Sequence, residues 1–380
     1  MNNTPIVAGD RIRNRPVGPL IRTAFRVLAV LAVIGFFTRA SAQFYAQSNL
    51  VSDVSGKAIN TDTNLVGAWG TARSSTSPWW VNTTVGGTSL LFNGAGAPLP
   101  LVVTIPPPMG HTNRSQPTGI VFNGGTNFEV MPGKHAVFIF ATRDGTISGW
   151  NPGANPTEAI ITVSNSPAAS YTGLAIFERD GTNLLYAANF GQGRIDVFDD
   201  TFKPVTLPGV PFTDDEIPDT FTVFNIQLIN DALYVTYAPK DLFLKLGGRG
   251  QGFVDVFDVK GDLQMRLRHG FWMDAPWGVA LAPEDFGKLS NHILVGMFGS
   301  GQIAAFDTEH GNFHGLMRGP EGQPITMGTG LWGLGFGNGS AAGPANALYF
   351  AADFAFNGGL HGLFGTLTPL PHGDSEVDDK

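Results

Sequence analysis

Asn82, Asp144, Asn189 and Asp353 each stand at the end of, or just after, a short apolar run. Carboxamide and carboxylate oxygens brought together suit a hard cation, and calcium takes about six to eight such ligands. Bound there, calcium would polarise a carbonyl and assist hydrolysis or lysis. The same residue types are ordinary turn formers that bond their own backbone, so the sequence leaves both readings open. Trp69, Trp277 and Trp332 make a second set, each directly before a Gly, with Asn225 at the comparable place in another segment. Three indoles at one position are either a platform for sugar rings or packing between adjacent elements. Histidine offers less. His310 and His314 are four apart, but in turn or outer-strand sequence, where that spacing does not share a face. Neither an H-E-x-x-H nor a G-x-S-x-G motif occurs, and the Gly-rich turns do not lead from a strand into a helix, as a phosphate cradle requires.

These positions belong to a six-fold recurrence with a period of about 50 residues, in the range of propeller blades. Its copies are Ala68-Trp69-Gly70-Thr71-Ala72, Thr118-Gly119-Ile120-Val121-Phe122, Thr172-Gly173-Leu174-Ala175-Ile176, Asn225-Ile226-Gln227-Leu228-Ile229, Trp277-Gly278-Val279-Ala280-Leu281 and Trp332-Gly333-Leu334-Gly335-Phe336. Each copy predicts an innermost strand A, where Gly permits close approach of neighbouring backbones. An apolar strand B follows, then a turn such as Gly191-Gln192-Gly193, then strand C, then a weaker outer strand D. The fold class is therefore all-β: a six-bladed propeller with four antiparallel strands per blade over residues 43–371. The sixth unit lacks a strand D, and Phe44 to Val51 has no repeat partner. This N-terminal segment is expected to supply the missing strand and close the ring, removing the sheet edge. The acidic run at Asp214, Asp215, Glu216 and Asp219 reads as a cation-binding segment or, preferably, a solvated loop. Asp241 to Gly252 is a long B–C insertion in blade four.

Residues 1–42 read as a secretory signal: a basic segment with Arg11, Arg13, Arg15, Arg22 and Arg26, an apolar run from Val27 to Phe37, and Ala40-Ser41-Ala42 as a cleavage site. The apolar run is too short to span a bilayer, so no membrane insertion is expected after cleavage, and the product is expected to be exported to periplasm or medium. The whole chain carries a formal charge of −8, and loss of the basic leader makes the remainder more acidic. Nucleic acid is thereby disfavoured as a partner, because it needs Lys and Arg to displace counterions. Cysteine is absent, which excludes disulfides, thiolate metal sites and a Cys nucleophile. Residues 372–380 read as an acidic, disordered tail.

Several runs, among them Asn64-Leu65-Val66-Gly67-Ala68-Trp69-Gly70, Ser115 to Asn123 and Phe140 to Asn151, resemble a family of exported bacterial proteins, some of which end in a PEP-CTERM sorting signal. The resemblance implies a secreted bacterial protein and brings no activity. The chain departs from the sorted members after Pro371, where no Pro-Glu-Pro, apolar helix or basic terminus follows. More distantly, the blades resemble NHL-repeat and gluconolactonase-type propellers. Lactonase-type members hold a cation in the channel beside an acidic residue, usually Glu, and no Glu here occupies a repeat-equivalent place. The sequence thus points to a secreted, non-enzymatic, monomeric propeller that binds a glycan or envelope component at one face. The alternative is a cation-assisted hydrolase or lyase of lactonase type.

Overall fold

The structure, a computed structural model, describes residues 44–371 except Asp180, Leu246 and Thr329. The expected signal segment and acidic tail lie outside the described residues. Six small antiparallel sheets stand in a ring, each with its first strand innermost. These axial strands are Ala68–Ala72, Pro117–Phe122, Tyr171–Arg179, Phe221–Ile229, Pro276–Leu281 and Leu331–Phe336. The six-bladed propeller is the observed architecture.

The recurring Gly has a direct cause. A methyl at Gly70 would run into the Thr118 carbonyl oxygen of the next blade, and one at Gly119 would sit 2.7 Å from the Leu174 nitrogen. Gly278 stands in the same way against Trp332, and Gly333 against Trp69. At five of the six axial strands the close approach of neighbouring backbones leaves no room for a side chain. Blade four differs: Asn225 takes the Gly place, and its amide donates across the gap to the Trp277 carbonyl at 2.8 Å.

Apolar side chains fill the space between each adjacent pair of blades, from Trp80, Ile120 and Phe138 between blades one and two round to Trp79, Tyr349 and Phe364 between six and one. A further cluster lies on the axis itself. Closure occurs as expected: Tyr45–Ser52 pairs antiparallel with Gly359–Pro369, from Tyr45 opposite Pro369 to Ser52 opposite Leu363. Tyr45 fixes this strand to blade five. Its buried hydroxyl donates to the Phe286 carbonyl at 2.8 Å and accepts from the Leu289 N–H at 2.9 Å. Blade three departs from the four-strand pattern, with only Tyr171–Arg179, Thr182–Asn189 and Arg194–Asp199 paired as strands. Its outer edge is covered by a short return in which Val205 donates to the Val197 carbonyl. No helix among the described residues is long and apolar enough to cross a membrane.

Candidate functional site

The three tryptophans do meet, but they face one another rather than solvent. Trp69 and Trp332 stack with ring centroids 3.5 Å apart, and Trp277 stands edge-on to both at 6.3 and 5.9 Å. Their exposures are 3, 1 and 5 %. Phe224 and Phe298 pack against Trp332, at 5.7 and 4.4 Å. The place taken by Trp in blades one, five and six is held in blade four by Phe224. Asn225 therefore stands one residue further along than sequence spacing put it, at the Gly position. The B–C insertion of blade four contributes the short helix Leu242–Lys245. Its Phe243 packs against Trp69, and the Arg143 guanidinium lies 4.2 Å above that phenyl ring. The channel end expected to bear an aromatic platform is instead filled by an aromatic plug. The platform fails because strand A enters the ring at its narrowest part, where large side chains reach each other across the axis before they reach water.

The oxygen-bearing candidates each have separate partners, although the Asn82 oxygen itself is buried without one. Asn82 donates to the Thr118 and Gly119 carbonyls of the next blade, at 3.0 and 3.3 Å. Asp144 accepts from the Gln116 backbone and side-chain amides. Asn189 organises its own turn, accepting from Ser170 and Gln192 and donating to Asp196. Asp353 accepts from the Trp332 indole at 2.9 Å. Trp277 donates across the channel to the Thr172 carbonyl at 3.0 Å. Among the described residues, no group of three or more Asp, Glu or His side chains is arranged to hold a metal. The four candidates stand in four different blades and act as stitches and turn caps.

Asp353 has one further property. Burial pushes its carboxyl up to about 7, against the opposing pull of the Trp332 N–H. Its ordinary value is near 3.8, so the unfolded chain releases this proton first. The contribution of Asp353 to stability is complete below pH 4 and is lost as pH rises to about 7, with a slope of up to about 1.4 kcal/mol per pH unit. Urea melts between pH 4 and 8 are expected to show this decline. In Asp353→Asn, which keeps an acceptor for Trp332, the decline above pH 6 is expected to disappear; an unchanged profile would refute the assignment.

The acidic run before blade four is not a solvated loop throughout. Arg266, on the outer strand of that blade, donates to Asp214, to Glu216 at 3.1 Å and to Asp255 at 2.8 Å. The Asp214 side chain is 8 % exposed and that of Asp255 fully buried. The cation that the acidic run holds is thus a guanidinium of the protein itself.

An opening does exist, at the other end of the axis. Where the axial strands run out of the ring, a cavity of about 370 Å³ is walled by Ile120, Phe122, Ile176, Leu334 and Phe336, with Thr71, Arg73 and Gln227 among them. It narrows inward to Asn225 and Trp277, below the plug. The channel is therefore blind. Arg73 is not among the sequence candidates, which stand at the starts of strands A and the ends of strands B; the signal available was a charged residue directly after an axial strand.

No family model matches the chain. It is 30% identical over 345 residues to Uncharacterized protein R648 of Acanthamoeba polyphaga mimivirus, a match spanning 87% of this chain and 82% of R648. Uncharacterized protein L690 of the same virus is 30% identical over 314 residues, spanning 79% and 80% of the two chains. The chain belongs to this mimivirus family. The resemblance to exported bacterial proteins is corrected accordingly: these relatives point to a giant virus. The runs that carried that resemblance lie largely in inner strands and tight turns, where packing restricts residue choice, so they report the fold more than the source. Among solved structures, Kuenenia stuttgartiensis hydrazine synthase superposes with a TM-score of 0.46 at 14% identity, covering 79% of each chain. Virginiamycin B lyase from Staphylococcus aureus superposes at 0.44 and 11% identity, covering 86% of this chain and 99% of that one. Neither superposition carries an argument about what this chain does.

Proposed function

We propose that this propeller is a binding protein rather than an enzyme, and that it takes its ligand at the face where the axial strands leave the ring. One observation carries the reading: the end at which a cation or catalytic group was expected is packed shut by aromatic rings, while the opposite end opens into a lined cavity. Of the residues that would have held calcium, Asp144, Asn189 and Asp353 spend their oxygens on neighbouring amides and an indole, and Asn82 donates its amide to the next blade while its oxygen lies buried without a partner. A glycan finds no free indole on the axis to stack on, so the sugar-platform form of the binding reading loses its support. What supports a smaller ligand is the size and lining of the open cavity.

The full chain, incubated with a panel of lactones with and without millimolar calcium, is expected to give no turnover above the blank. Turnover that disappears in Asp353→Asn or Asn189→Ala would overturn the reading and restore a lactonase-type enzyme.

A further inference from the structure

Arg73 is placed at an unusual cost. Its Nε–H donates to the Phe336 carbonyl at 2.5 Å, and its terminal nitrogens donate to Ser74 at 3.2 Å and Gly337 at 3.1 Å. Guanidinium carries about five N–H donors, so donors remain after these three carbonyls. Among the described residues Arg73 makes no ion pair, in contrast to Arg266 with its three carboxylates. Burial accordingly pushes its pKa down, with no carboxylate offsetting the loss of water. Among the described residues it is the only ionisable side chain lining the cavity. Two further polar groups there are uncommitted: the Thr71 hydroxyl is buried without a partner, and the Gln227 carboxamide makes no hydrogen bond among the described residues. The remaining wall is aliphatic and aromatic. A partly buried cation with spare donors, held by three carbonyls beside aliphatic and aromatic side chains, is half of a charge-assisted pair.

We infer that the mouth of the channel binds a small organic carboxylate with an apolar body, the carboxylate pairing with Arg73 and the body lying against Ile120, Phe122, Ile176 and Leu334. This rests on the reading of that face as the binding face. The carboxylate supplies the counter-charge that the protein withholds, with Gln227 as an additional donor. The body replaces water in a cavity of about 370 Å³, room enough for a ligand of roughly ten to fifteen heavy atoms at ordinary packing density.

The test uses two probes of nearly equal shape, 3-phenylpropionate and the neutral 3-phenylpropanol, titrated calorimetrically into the full chain. The carboxylate is expected to bind at least tenfold more tightly than the alcohol. Arg73→Gln is expected to erase that preference, and Gln227→Trp, which fills the mouth from its half-exposed wall, to weaken both probes. Should Arg73→Gln fail to fold, Gln227→Glu places a competing carboxylate in the same cavity and is expected to erase the preference equally. Equal binding of both probes, unaltered by Arg73→Gln, would overturn the anion inference and leave the binding face standing. Binding untouched by either Gln227 variant would place the probes elsewhere and overturn it too. If neither probe binds the unsubstituted chain, the inference falls, while the reading as a binding protein stands or falls on the turnover screen.

Discussion

Arg266→Met is expected to lower stability by about 3–5 kcal/mol, the usual consequence of removing one partner from a buried charged cluster. Arg266 joins three acidic side chains from two parts of the chain, Asp214 and Glu216 in the loop before blade four and Asp255 on its third strand. Asp255 is the critical one. Burial raises its carboxyl to about 6, even though Arg266 pulls in the opposite direction, and its second oxygen has no hydrogen-bond partner. Methionine would leave this carboxyl and that of Asp214 close together without a counter-charge. The sign with pH follows. At pH 5 Asp255 can take up a proton cheaply, whereas at pH 8 it must either ionise unpaired or hold its proton far above the ordinary range. Denaturation of Arg266→Met is therefore expected to show a larger deficit at pH 8 than at pH 5, and adding Asp255→Asn is expected to recover part of it. A deficit below about 1 kcal/mol, or one independent of pH, would mean that the cluster is an ordinary solvated surface network.

Trp332→Ala is expected to cost about 3–5 kcal/mol as well, through the cavity it leaves in the axial plug. Trp332 touches the other two tryptophans and two phenylalanines and is 1 % exposed. The ring positions around it are fixed by backbone, so collapse into the void is restricted. Trp332→Phe separates the two roles of the side chain: it keeps most of the volume but removes the N–H that Asp353 accepts from. Its expected loss is smaller, about 1–3 kcal/mol, and grows with pH because ionised Asp353 then has no donor. A Trp332→Ala protein that melts like the parent would show that the plug is not part of the core.

Much of the fold was legible because it rests on local necessity. The Gly of five of the six repeats is imposed by close contact between neighbouring strands, and such a demand leaves a fixed residue at a fixed interval. The missing outer strand of unit six and the unpaired N-terminal run were complementary for a similar reason, since a ring has no tolerance for an open edge. The site was less legible. Whether an indole points at solvent or at another indole depends on how six blades converge, and nothing in Trp69-Gly70 or Trp277-Gly278 states that. Phe224 is hidden by a one-residue shift, because blade four carries Asn225 where the other repeats carry the Gly that marks the register; the bulge there recurs in the other axial strands. The Asp214–Arg266 pair spans 52 residues, and charge complementarity at that range leaves no periodic mark. The open end of the channel went unread because Arg73 has no counterpart in the other repeats, and repetition was the guide.

The pairing of Tyr45–Ser52 with Gly359–Pro369 also sets the order of events during synthesis. The first strand of the ring is made early, yet its antiparallel partner leaves the ribosome only after every other blade has been translated. Five blades can pair internally as they emerge, whereas the sixth waits on a contact of nearly maximal sequence separation, the kind that forms slowly. Until then the nascent ring presents two unprotected borders, and any product that stops short of blade six keeps them. A chain that stops before Leu363 thus lacks every antiparallel partner of Tyr45–Ser52 and keeps both sheet borders unpaired, the condition that invites edge-to-edge association.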